Sequence, residues 1–520
     1  MTLVPTEKSR APAALWIAGL VSILGGLWLM LWFWRGGMAY DATSGVWTAL
    51  ADDLAHGDFY RPVASPLGYG GTRYMPLFFS LHAGLIRAGL SPAAAGFFLT
   101  VVSIAVLSVG ARLLMRSFGA HSAFALTTLC LLPASIGFQL LTASVKGDLL
   151  AAAFSVWGLV MAKQWIEKPD ARTGWLTAAL FAAALLTKFT AGFALAATLL
   201  WLFRRRQFSI AAHLLVSTVG LVVVALTLVY GLSAGRIAES FRVCATGGLN
   251  AGYAWKFPLW FAWVAAQDPF FTVIFIAGIS AAVRRVRRGG LDLLGCYFAV
   301  TAIATVLIFA SPGTDSNHLI DLLVASAVML AVELTQGGSG RPIPAVAWTF
   351  AAAIVITWLP GVPSVRHFFI AKGRPTLAAV NEIARRLPQG GTQRLLSENP
   401  LVPVALGQRP EVMDAFSLRL LAARAPKVRE KFLADLQNQN YTAVILMDWS
   451  GSTESELPAA LANHTSLGVR YFYGEVHFPA GFMEILRANY RLSFAVAPFV
   501  IFEPLTRAAL PAAAVPVPRS

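Results

Sequence analysis

Long runs of apolar residues, separated by short polar segments, fill the first 361 residues of the chain. Runs of about 20 apolar residues are typical of helices that cross a bilayer. The first run follows Lys8 and Arg10, is too long for a signal-peptide core and ends without a small-x-small cleavage site. It therefore predicts a first span that the mature chain retains. The predicted spans are 12–34, 93–115, 121–141, 149–165, 173–187, 190–203, 208–232, 268–283, 291–310, 317–335 and 343–361.

After residue 361, apolar and polar residues alternate over much shorter distances. The spacing predicts amphipathic helices and buried strands, closed by a pair of strands. The helices are expected at 375–387 and 427–437, the strands at 394–397 and 441–448, and the closing pair at 490–502. We therefore predict a transmembrane domain over 1–361, a small α/β domain over 362–505, and a disordered Pro- and Ala-rich tail over 506–520.

Composition agrees with a membrane protein, since 57% of the residues are hydrophobic and only 13% are charged. Soluble domains carry about 25% charged residues. The net charge of +15 would suggest nucleic acid as a partner in a soluble protein, but here the basic residues flank the predicted spans. No basic patch is interleaved with aromatic residues, so we expect no nucleic-acid binding. The three cysteines predict neither a disulfide framework nor a zinc site.

The distribution of basic residues predicts the orientation of the spans. With the N-terminus in the cytoplasm, every arginine cluster falls on the inside, as the positive-inside rule requires. An odd number of spans then places the C-terminal domain outside. The apolar segment 75–90 would invert this arrangement if it crossed the membrane. We therefore expect it to be an interfacial or re-entrant helix of a first outer loop at about 35–92. Residues 233–267 are predicted to be another outer loop.

Carboxylates in the first outer loop are candidates for chemistry. Asp41 closely follows the first span. A carboxylate near an apolar wall holds a proton more tightly than one in water and can act as a general base. An ordinary surface position is an equally good interpretation of Asp41. Asp52, Asp53 and Asp58 are expected to be solvated residues that cap short helices.

Two further segments with charged residues are expected to face the same compartment. Lys146 and Asp148 stand just before a predicted span, where they could bind a ligand or anchor the helix at the interface. Lys188 lies in LLTKFTAGF between two short apolar runs. A lysine there is costly and usually faces a polar cavity or a partner, and its compact cation suits a phosphate. Snorkelling to the outer interface is the alternative.

The polar segment 311–318 leads into the span that carries Asp321. On a helix, Asn317 and Asp321 are one turn apart and share a face, and His318 is adjacent. Together with Asp315, this grouping could bind a sugar, a phosphate or a metal, or could simply cap the next span.

In their order along residues 12–335, four stretches resemble the GT-C superfamily of membrane glycosyltransferases. The resemblance is to the bacterial family 39-like members related to protein mannosyltransferases and aminoarabinose transferases. The stretches are Tyr40-Asp41 followed by ALADDLAHGDFYRP, then YGGTRYMPLFFSLHAGLIRAGLSP, SVKGDLLAAAFSVWGL with LLTKFTAGF, and GTDSNHLIDLLVASAVMLA. Each motif is short, so the order of all four carries the resemblance.

The resemblance implies a polytopic α-helical protein of a bacterial inner membrane, with about 11 spans, interfacial helices and a periplasmic domain. It also implies transfer of a sugar from a polyprenyl-phosphate donor to a lipid, glycan or protein acceptor on the periplasmic face. Asp41 matches the first-loop aspartate that serves as catalytic base or orients the acceptor. Asp148 matches a second acidic position, often associated with metal or acceptor binding, and Lys188 a basic residue near the lipid phosphate. Tyr74, in the Y-x-P-L segment, and Asn317, His318 and Asp321 complete the predicted substrate site.

The resemblance allows a divalent cation (Mg or Mn) as cofactor, with Asp41 and Asp148 as candidate ligands. Ala42 follows Asp41 where the family often has a tighter Asp-Glu pair, so metal dependence and acceptor class stay open. A transporter or flippase of lipid-linked sugars is the main alternative function, and a structural membrane protein is another. Transporters usually contain internal repeats and broken helices, and the sequence shows no repeat. The glycosyltransferase hypothesis predicts that Asp41, Asp148 and Lys188 converge at the outer leaflet.

Overall fold

The computed structural model describes residues 13–35, 42–244, 257–311, 314, 316–336, 350, 352–354, 377–387, 394–447, 473, 476–496 and 499–505. The helices of the bundle and first outer loop are α1 (Ala13–Arg35), α2 (Ala42–Ala55), α3 (Pro76–Arg87), α4 (Pro92–Ser117), α5 (Ser122–Leu131), α6 (Ile136–Thr142), α7 (Asp148–Glu167), α8 (Ala171–Thr187), α9 (Phe193–Arg204), α10 (Phe208–Leu232), α11 (Arg236–Cys244), α12 (Phe257–Ala266), α13 (Pro269–Gly289), α14 (Leu293–Ile308) and α15 (Ile320–Gln336). The remaining elements are α16 (Leu377–Arg386), β1 (Leu395–Ser397), α17 (Leu401–Ala405), α18 (Ala415–Arg424), α19 (Pro426–Gln437), β2 (Ala443–Met447), α20 (Phe482–Asn489), β3 (Tyr490–Val496) and β4 (Phe499–Pro504).

Among the described residues, six helices are long and apolar enough to cross a membrane, and the bent pair α5–α6 could make a seventh. Shorter apolar helices (α8, α9, α12 and α14) lie beside them. Every predicted span up to 317–335 overlaps one of these helices or the bent pair. The last predicted span, 343–361, falls almost entirely outside the described residues. The segment 257–266, predicted to belong to an outer loop, forms the short apolar helix α12.

Burial distinguishes the centre of the bundle from its lipid-facing rim. In the most apolar windows, 67% of the residues of α7 and 78% of those in the Ser316–Gln336 span are buried, compared with 22% for α10. Side chains such as Val216 and Val224 on α10 are about two-thirds exposed (70% and 68%), as expected where lipid tails replace protein contacts. Helices α7 and α15 therefore pack in the interior of the bundle.

The predicted span 121–141 is not a straight helix. A 79° bend separates the segment that includes α5 from α6. Pro133, in the 3₁₀ turn between them, lacks an N–H group and clashes with a continuing helix. The Gln139 side-chain amide donates to the Pro133 carbonyl at 2.7 Å, and Ser135 Oγ accepts from Phe138 N at 3.3 Å. The broken backbone is thus satisfied locally, as the apolar surroundings require.

Helix α3 corresponds to the segment that was predicted not to cross. Its 12 residues extend over about 18 Å, which is shorter than the hydrocarbon core of about 30 Å. Its buried face carries Phe78 and Phe79, both 0% exposed. The Arg87 guanidinium donates to the Leu54 and Ala55 carbonyls, at 2.8 and 3.1 Å, at the end of α2.

The C-terminal region contains the predicted small α/β domain. Its four-stranded sheet has the order β1-β2-β4-β3. Strands β1 and β2 pair in parallel, and β4 joins both β2 and β3 antiparallel. All five residues of β2 are buried, because helices and the first outer loop cover the sheet. The predicted boundary at residue 361 and the tail 506–520 lie outside the described residues.

The C-terminal α/β domain, called the outer domain after its predicted side of the membrane, shares one hydrophobic core with the predicted first outer loop. Trp47 of α2 and Phe78 of α3 belong to the same cluster as Val380, Ile445 and Ile501 of the domain. This shared burial ties the outer domain to the loop that follows the first span.

Backbone pairing also joins the loop to the domain. Tyr69 N donates to the Glu411 carbonyl at 2.7 Å, and Met413 N donates to the Tyr69 carbonyl at 2.9 Å. The approach needs glycine at position 68, where φ is +100° and a Cβ would lie 2.1 Å from the Glu411 carbonyl oxygen.

The prediction that Asp53 is a solvated loop residue is wrong. Asp53 is 4% exposed and Arg61 is 2% exposed. The Arg61 guanidinium donates hydrogen bonds to both carboxylate oxygens of Asp53, at 2.7 and 2.8 Å. Arg409 of the outer domain donates to Asp53 Oδ1 at 3.1 Å and also pairs with Asp58. These buried charges fix the outer domain on the loop.

Asp53→Asn should lower the free energy of unfolding by about 3–5 kcal/mol, because Arg61 stays buried without its full counter-charge. Asp52→Asn is the matched control on the neighbouring position. Within the described residues, the ion pair of Asp52 is with the exposed His56 at 3.6 Å, so its loss should cost no more than about 1 kcal/mol. Thermal unfolding of both variants in detergent measures the difference. Equal shifts of the unfolding temperature in the two variants would contradict the stabilising role of the buried Asp53–Arg61 pair.

The Asp58–Arg409 contact predicts a dependence of stability on pH. The hydrogen bond from Arg409 lowers the pKa of Asp58 below its usual 3.8. The ion pair therefore contributes fully to the free energy of unfolding above the usual pKa of the carboxyl group. This contribution is lost as the pH falls through the lowered pKa of the folded state. Between about pH 6 and about pH 3, Asp58→Asn should lose less thermal stability than the parent chain. An unchanged pH dependence in the variant would contradict this role.

Candidate active site

A buried ion pair joins two helices at one end of the bundle. Helix α7 begins at Asp148, which is 4% exposed, and Lys188 is the C-terminal cap of α8. The Lys188 ammonium donates to Asp148 Oδ1 and forms an ion pair with it. A buried carboxylate of a membrane domain needs such a partner. Two of the predicted site residues therefore meet.

A third element completes this cluster. A 3₁₀ turn at Ser316–Leu319 precedes α15 and carries Asn317 and His318. The Asn317 side-chain amide donates to Asp148 Oδ1 at 2.9 Å, and His318 Nδ1 lies 3.4 Å from Lys188 Nζ. Asp321 follows in the first turn of α15 and is 9% exposed. Three chain segments that are distant in sequence thus present one compact polar group.

Positive charge surrounds this polar group. Besides Lys188, both Arg73 and Lys146 act electrostatically on His318, and Lys146 also acts on Asp148. The Arg73 guanidinium stacks over the Phe416 ring of the outer domain, 4.3 Å from its centroid. The outer domain therefore helps to hold one of the cations beside the cluster.

Tyr74 is connected to the cluster through Trp47. Their ring centroids are 4.4 Å apart, and the Tyr74 carbonyl accepts from Tyr60 Oη at 2.9 Å. A Cβ added at Gly147 would lie 3.3 Å from the edge of the Trp47 ring. Tyr74 therefore belongs to the wall around the start of α7.

Asp41 and Asp315 lie outside the described residues. The neighbouring start of α2 is described, and Ser44 Oγ accepts from Val145 N at 3.0 Å. The first turn of α2 therefore touches the loop that leads to Asp148.

A buried carboxylate that the sequence analysis did not single out supports this region. Asp268 is 2% exposed. Its Oδ2 accepts from Ser135 Oγ at 2.6 Å and from Gly137 N at 3.0 Å, and its Oδ1 accepts from Phe271 N at 2.9 Å. One carboxylate thus receives donors from the N-termini of α6 and α13, where negative charge is favoured.

Asp268 thereby holds α6 against the candidate site. A Cβ at Gly137 would lie 3.1 Å from the Ser316 carbonyl, so α6 packs closely on the turn that carries Asn317 and His318. An aspartate directly before a proline at the start of an apolar run is a helix-start signal. The sequence Asp268-Pro269 therefore indicated the cap of α13, but it carried no sign of the second helix.

The described residues do not by themselves form a divalent-cation site. Within the described part of the chain there is no group of three or more His, Cys, Asp or Glu side chains that could hold a metal. Asp148 Oδ1 already accepts from an ammonium and an amide, and a cation at that oxygen would compete with Lys188. A metal held by Asp41 and Asp148 stays a prediction.

No protein-family model and no curated protein matches the chain. Solved structures do resemble it over almost its whole length. ArnT from Cupriavidus metallidurans bound to undecaprenyl phosphate aligns with a TM-score of 0.59 at 12% identity, over 96% of this chain and 98% of that one. Its apo structure aligns with a TM-score of 0.59 at 15% identity, over 95% and 99% of the two chains.

The oligosaccharyltransferase of Archaeoglobus fulgidus, in its apo form, is also similar. It aligns with a TM-score of 0.53 at 11% identity, over 92% of this chain and 72% of that one. These likenesses confirm the GT-C fold that the resemblance predicted, a helical membrane domain with a small C-terminal sheet domain.

Asp268→Ala should destabilise the chain by about 3 kcal/mol or more, because buried donors on α6 and α13 lose a charged acceptor. Asp170→Ala is the matched control, since Asp170 caps α8 through Thr173 N at 2.8 Å but is exposed. Thermal unfolding in detergent should show a clearly smaller shift for the control. Shifts of the same size would mean that Asp268 acts only as an ordinary helix cap.

Proposed function

We propose that this GT-C-fold chain is a membrane glycosyltransferase that uses a polyprenyl-phosphate-linked sugar as donor. The acceptor is a lipid, glycan or protein on the non-cytoplasmic face of a bacterial inner membrane. In this proposal Asp41 takes a proton from the acceptor, and the cluster around Asp148 and Lys188 binds the donor phosphate.

The fold supports the coarse part of this proposal. Two of the similar structures contain a lipid phosphate, namely ArnT bound to undecaprenyl phosphate and the archaeal oligosaccharyltransferase AglB in complex with an inhibitory peptide and a dolichol-phosphate. The AglB complex aligns with a TM-score of 0.50 at 12% identity, over 96% of this chain and 74% of that one. A shared fold does not by itself fix an activity, so the residues of the site must carry the rest.

The observation that carries the proposal is the Asp148–Lys188 pair with Asn317 and His318 beside it. The group lies at the end of the bundle that the outer domain covers, within the field of Arg73 and Lys146. Cations and amide donors at a membrane surface suit a phosphate that must be bound and then released as an anion.

The proposed reaction is a single displacement at the anomeric carbon of the sugar. The acceptor oxygen or nitrogen bonds to that carbon, while the bond from the carbon to the phosphate oxygen breaks. The proton of the acceptor passes to Asp41, and the electron pair of the broken bond stays on the polyprenyl phosphate. Lys188, with Arg73 and Lys146 near it, stabilises the added negative charge. One base suffices if the anomeric configuration inverts.

The role of Asp148 in this scheme is to position Lys188. The carboxylate neutralises the ammonium in the absence of ligand, and Asn317 holds the same oxygen from the opposite segment. A bound phosphate then competes with Asp148 for the Lys188 protons. In this proposal Asp321, in the first turn of α15, offsets part of the positive charge of Lys188.

A flippase of lipid-linked sugars without glycosyl transfer is the second candidate. The 79° break between α5 and α6 is the observation that favours it, because broken helices often form transport sites. In this chain the break is held by Asp268 and packs on the 3₁₀ turn of the candidate site. A static supporting role for the break agrees better with an enzyme.

The test uses the full chain in nanodiscs and separates binding from turnover. Lys188→Gln should weaken the binding of undecaprenyl phosphate about tenfold or more, because a charge-assisted hydrogen bond is lost. Lys168→Gln, at the far end of α7, should leave binding unchanged. Undecaprenyl phosphate binding that is insensitive to Lys188→Gln would overturn the phosphate site.

Turnover is followed as undecaprenyl phosphate released from the undecaprenyl-phosphate sugars of a bacterial lipid extract, together with mass spectrometry of envelope glycans with and without the gene. Asp41→Asn should keep the affinity for undecaprenyl phosphate and lower the release rate by about 10²–10⁴-fold, the usual effect of removing a general base. An unchanged rate of undecaprenyl phosphate release in Asp41→Asn would contradict the assignment of Asp41 as the base. Translocation of the sugar lipid without any release would favour the flippase.

A further inference from the structure

A cavity opens at the opposite end of the bundle from the candidate active site. Helix α7 runs from Asp148 to Glu167 over 20 residues, which is about 30 Å and matches the hydrocarbon thickness of a bilayer. At its far end lies a cavity of about 550 Å³ between the ends of α4, α7, α9 and α13 and the start of α14. This volume is within the range of ligand pockets.

The lining of this cavity combines cations with aromatic rings. Lys163, Arg205 and Arg285 face it together with Phe118 and Trp201. The Lys163 ammonium lies 5.1 Å from the Phe118 centroid, and the Arg205 guanidinium lies 5.3 Å from the Trp201 centroid. Cation–π contacts of this kind hold the charges at fixed places in the wall.

The cations of the cavity are only partly neutralised. Lys163 pairs with Glu167, and Arg285 Nε donates to Asp292 Oδ2 at 3.0 Å. Arg205 forms no ion pair with any acidic residue in the described part of the chain. Glu167 and Asp292 also line the cavity, so its three basic side chains exceed its two acidic ones by one charge, which attracts an anion.

An unsatisfied amide lies in the same wall. Gln207 Oε1 is buried and has no hydrogen-bond partner among the described residues. Because the two ends of a glutamine amide can exchange by a flip, Gln207 can accept from a hydroxyl or donate to a phosphate oxygen. A buried polar atom without a partner is costly, so a ligand there would stabilise the site.

The surroundings indicate that the ligand is an amphiphile. Phe203 and Phe208 lie on either side of the lining residues Arg205 and Gln207, with ring centroids 5.9 Å apart. They are 50% and 56% exposed. Exposed rings beside a basic cavity at a membrane surface offer contact area to acyl chains, while the cavity takes the headgroup.

We propose that this cavity binds the phosphodiester headgroup of an anionic phospholipid from the leaflet that faces away from the candidate active site. Arg205 is the main phosphate ligand, and Gln207 holds a phosphate oxygen or a glycerol hydroxyl. Lys163 and Arg285 contribute when their acidic partners release them. The site is independent of the proposed glycosyl transfer.

Native mass spectrometry of the full chain in detergent tests the proposal, with phosphatidylglycerol and phosphatidylcholine as probes. Phosphatidylglycerol should bind more tightly, and Arg205→Ala should weaken its binding about tenfold or more. Arg287→Ala is the matched control, because Arg287 is exposed and lies outside the lining. It should change the affinity by no more than about twofold.

A second variant works in the opposite direction. Glu167→Gln frees Lys163 from its ion pair and should tighten phosphatidylglycerol binding a few fold. Equal losses for Arg205→Ala and Arg287→Ala, or equal binding of the two lipids, would overturn the site. Displacement of phosphatidylglycerol by an equal concentration of sn-glycerol 3-phosphate would overturn the assignment to a lipid. Equal thermal stability of the lipid-free variants shows that each has kept its fold.

Discussion

The arrangement of the helix ends at the candidate site depends on a single buried carboxylate, Asp148. A carboxylate removed from water at the end of an apolar bundle is unfavourable unless cations and donors meet it. Lys188 and Asn317 supply them from two other segments. The need to satisfy Asp148 therefore draws α7, α8 and the turn before α15 to one point, and this convergence makes the end of the bundle suitable for an anionic ligand.

The same constraint recurs at Asp268 and Asp53, with different consequences. Asp268 is matched by helix N-termini and a hydroxyl, so it can stabilise a break in a membrane helix without a counter-cation. Asp53 is matched by two arginines, one of which belongs to the outer domain. Asp268 thus positions the helix that packs against the candidate site, and Asp53 holds the outer domain on the first outer loop.

The two ends of the bundle differ in how their cations are used. At the candidate site the ammonium of Lys188 is enclosed with its partners among three chain segments. At the far end, arginines such as Arg287 and Arg288 are exposed to the solvent side, and only a few enter a cavity. The basic residues that flank the helices agree with the predicted orientation in the membrane, and helix packing encloses only a few of them.

The sequence alone predicted the apolar spans, the short apolar helix within 75–90, the α/β pattern of the C-terminal region and the charged residues Asp148 and Lys188 at the ends of apolar runs. These features follow from local periodicity and from the cost of placing charge in lipid, and both can be read along the chain. The break at Pro133 and the burial of Asp53 were not predicted, because the local sequence contains Pro133 and the nearby Arg61 but does not show the distant partners, Asp268 and Arg409, that the fold adds. Only the tertiary structure decided which polar groups are enclosed together, since the free energy of a buried charge is set by the neighbours that packing brings to it.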